Sequence, residues 1–268
     1  MRLKLSLSAK NSFVLPINYQ HFLTAVIYQT IARASSEHAD WLHDKGYGAG
    51  TGLFKHFTFS KLLSTPKPEI KNGCIRFPPD LTWFISIHTP KTLEHFIIGL
   101  FEKQEFWLES PDKVLRVVTV ETLAEPEFTE QMTFTTLSPV LVKQPKSDQK
   151  LPPDFIFPDH PNFAQILTKN LINKYVSLND GKAGDFVMSK PFECTPDWDY
   201  VKRRGGIQKI TKLITLYEGK PEMTQNRAFE CPLMLSGDVR LIRTAYESGL
   251  GHENAMGFGM IEIISGNH

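Results

Sequence analysis

Cysteine is scarce in this 268-residue chain: Cys74, Cys194 and Cys231 stand far apart and form no C-x-x-C pair. Neither a disulfide framework nor a cysteine-bound zinc site is suggested, and a reducing, cytoplasmic setting is expected. Long apolar runs are also missing. The longest, FIIGLF at 96–101, falls far short of the roughly 20 residues that span a bilayer. The start, MRLKLSLSAKNSF, alternates instead of building the apolar block of a signal peptide, so no membrane partner is expected. An excess of charge is absent too, with 30 basic against 29 acidic residues and a net charge of +1. Whole-chain charge therefore announces no nucleic acid, and its local distribution has to be read instead. There is no H-E-x-x-H, no EF-hand loop and no spaced carboxylate cluster, so neither metal nor cofactor is expected. What remains is a globular composition, 41% hydrophobic and 22% charged, with nineteen phenylalanines to fill cores. The length suits two domains of about 130 residues.

Periodicity supplies the elements. Leu3, Leu5 and Leu7 alternate on one face of a first strand. Pro16 and Asn18 signal the start of a helix carrying Leu23, Ile27, Ile31 and Ala34 at helical spacing, and Ser35-Ser36 caps a shorter one. Beyond the glycine-broken GYGAGTG come strands through Phe57 and Phe59 and through Trp83, Ile85 and Ile87, with a turn at Asn72-Gly73 between them. Thr89-Pro90 opens a helix with Leu93, Phe96, Ile97, Leu100 and Phe101 on one face, and KVLRVVTVETL closes the half. The order β-α-β-β-α-β is the ferredoxin-like arrangement. After a linker at AEPEFTEQ the pattern recurs: a strand at TFTTLSPVLV, a helix at NFAQILTKNLINKY, strands at FVMSKPFEC, IQKITKLITLY and AFECPLML, a helix capped by Ser236, and a strand at MGFGMIEII. The fold expected is α+β, two tandem ferredoxin-like (RRM-like) domains at 1–124 and 132–268 with a cleft between them.

Two stretches stand out. From Val201 to Tyr217 the chain carries Lys202, Arg203, Arg204, Lys209 and Lys212 and no acid, a stripe suited to a phosphate backbone or to protecting a sheet edge. Near the C-terminus, GLGHENAMGFGM places Gly249, Gly251, Gly257 and Gly259 within eleven residues. A dinucleotide fingerprint would need a glycine where Asn254 stands and a strand before the helix, whereas this loop leads from helix to strand.

With AVIYQTI, WLHDKG, TLSPVLV and above all AYESGLGHENAMGFGM, the whole chain resembles the CRISPR-associated repeat-processing endoribonucleases of the RAMP superfamily, the "Cas six" group. The resemblance implies metal-independent cleavage of precursor CRISPR RNA within its repeats, for antiviral defence. In that reaction a ribose 2′-hydroxyl attacks the neighbouring phosphate and leaves a 2′,3′-cyclic phosphate and a 5′-hydroxyl. It also implies repeat RNA as partner, and admits a CRISPR effector complex and a second copy of the chain. The family's helical tyrosine corresponds to Tyr28, which lies off the apolar stripe of its helix, and the histidine after it to His43. His43 would serve as general acid and Tyr28 would orient the 2′-hydroxyl. Where the family places a lysine this chain has Gly52, leaving Lys45 and Lys55 as candidates to stabilise the phosphate. His21, two turns before Tyr28, is a rival to His43. The glycine loop is expected to face RNA, with His252 touching it and bare amides cradling phosphate. The missing lysine also admits a different function, a non-catalytic repeat-binding subunit.

Overall fold

The computed structural model describes residues 1–49, 52–146, 152–179 and 183–264. The first half is organised around an antiparallel sheet built from β1 (Arg2–Ala9), β2 (Phe57–Phe59), β3 (Asp80–Ile87), β4 (Glu105–Trp107) and β5 (Val114–Thr122), in the order β2-β3-β1-β5-β4. β1 is central because it is the strand whose alternation is cleanest. Leu5 sits opposite Trp83 on one side and Val120 on the other, and Leu3, Leu5 and Leu7 are buried. That face is covered by α1 (Gln20–Ala34) and α3 (Pro90–Glu102). The two helices cross at Gly99, where a Cβ would collide with the Thr30 carbonyl. Arg33 donates to the carbonyls of Gly99 and Lys103 and so caps the end of α3 with a cation. α2 (Ser36–Asp44) follows α1 directly, its start capped by the Ser35 hydroxyl accepting from the His38 amide.

The second half repeats the plan. Its sheet contains β6 (Gln131–Thr136), β7 (Glu193–Pro196), β8 (Leu233–Ser236) and β9 (Ile261–Ile263), in the order β7-β8-β6-β9. Phe134 pairs with Leu233 and Ile263 at the centre. The helices are α4 (Phe163–Leu178) and α5 (Val239–Ser248). In each half the first strand lies between the third and the last, which is the ferredoxin-like order twice over.

The halves are joined by buried polar contacts. The Arg2 guanidinium lies 3.6 Å over the Tyr246 ring and donates to the carbonyls of Ile261 and Tyr246 and to Glu262. Thr58 donates to the Phe258 carbonyl, Ser86 to that of Glu247 and Thr24 to that of Ala255.

Several local expectations change. IQKITKLITLY, long enough in the sequence to be a protruding hairpin arm, is one only over Thr211–Leu216, which pairs with Thr224–Phe229; Ile207–Ile210 is a helical turn. The 201–217 stripe is consequently divided. Lys202 and Arg203 end a helix at Trp198–Arg203, Arg204 follows it, Lys209 lies in the turn, and Lys212 on the arm is ion-paired with Glu230. AFECPLML is likewise two strands, broken at Glu230–Pro232. Asp238 rather than Ser236 caps α5, accepting from the Arg240 amide, because a carboxylate beside Arg240 outcompetes a hydroxyl two residues earlier. No side chain caps α1. Lys55 and His56 lie beyond the strand Gly52–Phe54, not within one, and His56 has φ of 52°. All three cysteines are free. Among the described residues, no helix is long and apolar enough to cross a membrane and no group of three or more His, Cys, Asp or Glu is placed to hold a metal ion.

Candidate active site

Between the halves lies a cavity of about 1380 Å³. Its walls carry five lysines, Lys55, Lys143, Lys169, Lys174 and Lys220, against two carboxylates, Glu109 and Glu253. The whole chain is nearly neutral, yet this concave surface carries more ammonium than carboxylate groups, which favours a polyanion there. His21, Tyr28, His43, His56 and His252 line the same space.

Tyr28 points from α1 into the cavity, with its ring 5.6 Å from Phe57 of β2 and 5.3 Å from His43 at the end of α2. Partial burial raises the Tyr28 phenol well above its usual value, and neighbouring Tyr217 adds to the effect. A phenol that holds its proton so firmly orients a hydroxyl better than it deprotonates one. His43 is exposed, and its Nδ1 lies 2.8 Å from Asp44 Oδ1. The carboxylate accepts from Nδ1–H, which fixes the tautomer and leaves Nε2 to exchange a proton.

The third group enters by a turn that needs glycine. α2 is followed by Lys45 and Gly46, the latter at φ of 63°, and the chain reverses through the hairpin Tyr47–Ala49 and Gly52–Phe54. Lys55 emerges from it and folds back across Gly46, where a Cβ would lie 3.0 Å from its Cδ. Its Nζ donates to the His43 carbonyl at 2.6 Å, and desolvation lowers its pKa. Lys55 thus lines the cavity beside His43, while Lys45 does not line it. Gly52, also on the wall, sits in the strand that delivers Lys55. His21 lines the cavity two turns away.

The glycine loop is not the bare surface its composition suggested. All four glycines are buried and have positive φ. A Cβ on Gly251 would collide with the Leu141 carbonyl, one on Gly259 with that of Leu250, and one on Gly257 would lie 2.7 Å from Phe59. The amides of Leu250, His252 and Gly259 donate to Gly259, Leu141 and Pro139 carbonyls, so they are unavailable to a phosphate. What the loop offers the cavity is Gly251, alone of the four glycines, and the side chains of His252 to Met256. Burial beside Lys174 and Lys143 pushes the His252 imidazole down to about 4, and its Nδ1 accepts from the Lys143 amide.

Sequence reasoning missed the residue that holds this loop. Lys174 on α4 is fully buried, and its ammonium donates to the carbonyls of Gly249 and Gly251 and to Asn254 Oδ1 at 2.6–2.7 Å. Three acceptors match the three N–H groups of a charged lysine, although burial pushes its pKa down to about 7. The available signal was its place on the buried stripe of α4, three residues after Leu171 and seven after Leu167. His56 was missed as well. It is buried neutral between Ser177 (Nε2, 2.8 Å) and Ser248 (Nδ1, 3.1 Å), which ties the segment bearing Lys55 to α4 and α5. The stripe residues Lys202, Arg203, Arg204, Lys209 and Lys212 lie outside the cavity on exposed surface.

Known proteins agree with this architecture. A CRISPR-associated endoribonuclease Cas6 of Methanocaldococcus jannaschii is 27% identical over 267 residues, covering 97% of this chain and 92% of that protein. One from Pyrococcus furiosus is 27% identical over 260 residues, covering 94% and 84%. The solved structure of a Cas6-related protein from Pyrococcus furiosus shares the fold with a TM-score of 0.77 at 22% identity, covering 100% of this chain and 99% of that one. Residues 14–119 match the family described as CRISPR-associated protein Cas6, N-terminal, and residues 123–263 the one described as CRISPR associated protein Cas6, C-terminal. With both halves matched in order, the chain belongs to the Cas6 family of CRISPR-associated proteins.

Proposed function

We propose that the protein is an endoribonuclease that cuts precursor CRISPR RNA within its repeats, without a metal ion. The observation that carries this reading is the convergence of Tyr28, His43 and Lys55 on one cationic cavity between the halves. Relatives named as CRISPR-associated endoribonucleases support the RNA-cutting part of it.

In the proposed reaction a new bond forms between a ribose 2′-oxygen and the adjacent phosphorus, and the bond from phosphorus to the 5′-oxygen breaks. The products are a 2′,3′-cyclic phosphate and a 5′-hydroxyl. Tyr28 keeps its proton and holds the 2′-hydroxyl in line by a hydrogen bond, the proton of that hydroxyl passing to water in the open cavity. His43, its tautomer set by Asp44, gives a proton to the departing 5′-oxygen. Such proton transfer contributes about 10² to 10⁴ in rate. The Lys55 ammonium offsets the extra charge on the phosphorane, a role that Lys45, off the cavity wall, is not placed to share. Lys202, Arg203, Arg204 and Lys209 give an outer path for the RNA backbone, and His252 an inner contact.

The test is incubation of the purified protein with a repeat RNA in the presence of chelator, followed by mapping of both new ends. Cleavage with a 2′,3′-cyclic phosphate and a 5′-hydroxyl is expected. RNA that is bound but never shortened would instead support a non-catalytic repeat-binding role.

A further inference from the structure

The second half sends one aromatic side chain across the cavity to the helix that carries Tyr28. The arm formed by Thr211–Leu216 and Thr224–Phe229 is anchored by Ile214, Leu216 and Ala228, buried against Leu141 and Phe258. At its turn stands Tyr217, with φ of 54°, a left-handed conformation that tyrosine seldom adopts. The turn is held by the Lys220 amide donating to the Tyr217 carbonyl at 3.0 Å. This geometry directs the ring over to α1, where its centroid is 5.3 Å from that of His21, itself 3.9 Å from Phe22. The Tyr217 hydroxyl lies 3.9 Å from Met256 Sδ of the glycine loop. Asn18 and Glu218 make a second contact from the arm to the first half.

Tyr217 is only half-buried, and both it and His21 line the cavity. His21 is seven residues before Tyr28, two helical turns or about 10 Å along the same face of α1. Lys220, from the same turn as Tyr217, adds a cation to this end of the cavity. An aromatic ring on the cavity wall beside Lys220, two helical turns from Tyr28, has the chemistry that unpaired nucleobases recognise by stacking. A turn built only to close the arm would need neither a left-handed tyrosine nor a ring reaching the other half.

We infer that Tyr217, backed by His21, is a stacking position for one unpaired nucleobase beside the scissile bond. The inference rests on the RNA-cleavage reading. It assigns the arm a part in choosing where the RNA is cut.

Binding is measured with the full chain and a repeat RNA made uncleavable by one 2′-deoxynucleotide, with a single abasic nucleotide placed at each position in turn. For the wild type, one abasic position near the cut should weaken binding about 5- to 150-fold. Tyr217→Ala should weaken intact RNA by a similar factor and lose its sensitivity to that one position. Tyr217→Phe should behave as wild type, and Tyr217→Leu, which keeps apolar volume without a ring, should weaken intact RNA by a similar factor and lose sensitivity to that position, which keeps the test decisive even if the alanine variant fails to fold. The inference is overturned if the leucine variant binds intact RNA as wild type does, or keeps every abasic sensitivity of the wild type. It is equally overturned if Trp107→Ala, removing the exposed aromatic elsewhere on the cavity, abolishes that sensitivity instead. A wild type that binds no repeat RNA would sink the cleavage reading itself, a separate result.

Discussion

His56 makes the stability of this protein depend on acid in a calculable way. Its imidazole is 3% exposed and bonded at both nitrogens to serine hydroxyls, one on α4 and one on α5. Desolvation, aided by His88 and Lys174, pushes its pKa down to about 2, from 6.5 in the unfolded chain. The unfolded state therefore binds a proton below pH 6.5 that the folded state refuses. The contribution of His56 is fully present above pH 6.5 and is lost as the pH falls, at about 1.4 kcal/mol per pH unit. Between pH 8 and pH 5 the loss amounts to about 2 kcal/mol, a large share of the 5–15 kcal/mol typical of a folded domain. His38, His88 and His252 are also held below their ordinary values, so the wild type alone cannot isolate the effect. Urea unfolding of wild type and His56→Gln at pH 8 and pH 5 isolates it, because glutamine keeps a hydrogen-bonding amide and does not titrate. The wild type should lose about 2 kcal/mol more than the variant over that interval. Equal losses would refute the reasoning and mean that folded His56 accepts its proton without penalty.

Three further outcomes are expected. His43→Ala should lower single-turnover cleavage by about 10² to 10⁴-fold while leaving the RNA dissociation constant within a few-fold. Gly73 and Gly259 share φ of 73°, but a Cβ on Gly73 meets nothing within 4 Å, whereas one on Gly259 overlaps the Leu250 carbonyl. Gly73→Ala should thus cost about 1 kcal/mol, and Gly259→Ala about 3 kcal/mol or more, in thermal or urea unfolding. Replacing Lys202, Arg203 and Arg204 by alanine should reduce the dependence of log binding constant on log salt by about 0.7 for each phosphate that is no longer neutralised, with little change in the rate at which bound RNA is cut.

Most of the fold was legible because hydrophobic period and layer position coincide. Leu3, Leu5 and Leu7 alternate because β1 is central, and Thr89-Pro90 starts α3 because proline tolerates the first turn. Tyr28 and His43 were singled out by the family resemblance, with the position of Tyr28 off the apolar stripe as physical support, and both line the cavity, although Tyr28 also packs against the core. The errors fell where contacts distant in sequence decide. Four glycines look alike whether they admit a ligand or another part of the same chain, and here their partners are Leu141, Leu250, Asn254 and Phe59. Lys174 resembles a solvated helix lysine until the loop 75 residues later supplies its acceptors. The 201–217 stripe reads as one continuous element because charge carries no period, and Gly205 and Gly206, both at positive φ, break it. Lys55 was ambiguous against Lys45 because only the reversal at Gly46 shows which ammonium returns to His43.

The central claim is that the RNA supplies its own nucleophile and the protein supplies Tyr28, His43 and a lysine around it. One 2′-deoxynucleotide placed immediately before the scissile phosphate tests this most directly, in a repeat RNA incubated with the protein in chelator. The account predicts that the substituted RNA is bound with near-normal affinity and is not cut, while the all-ribose RNA is cut. Cleavage of the substituted RNA at the same bond would contradict it.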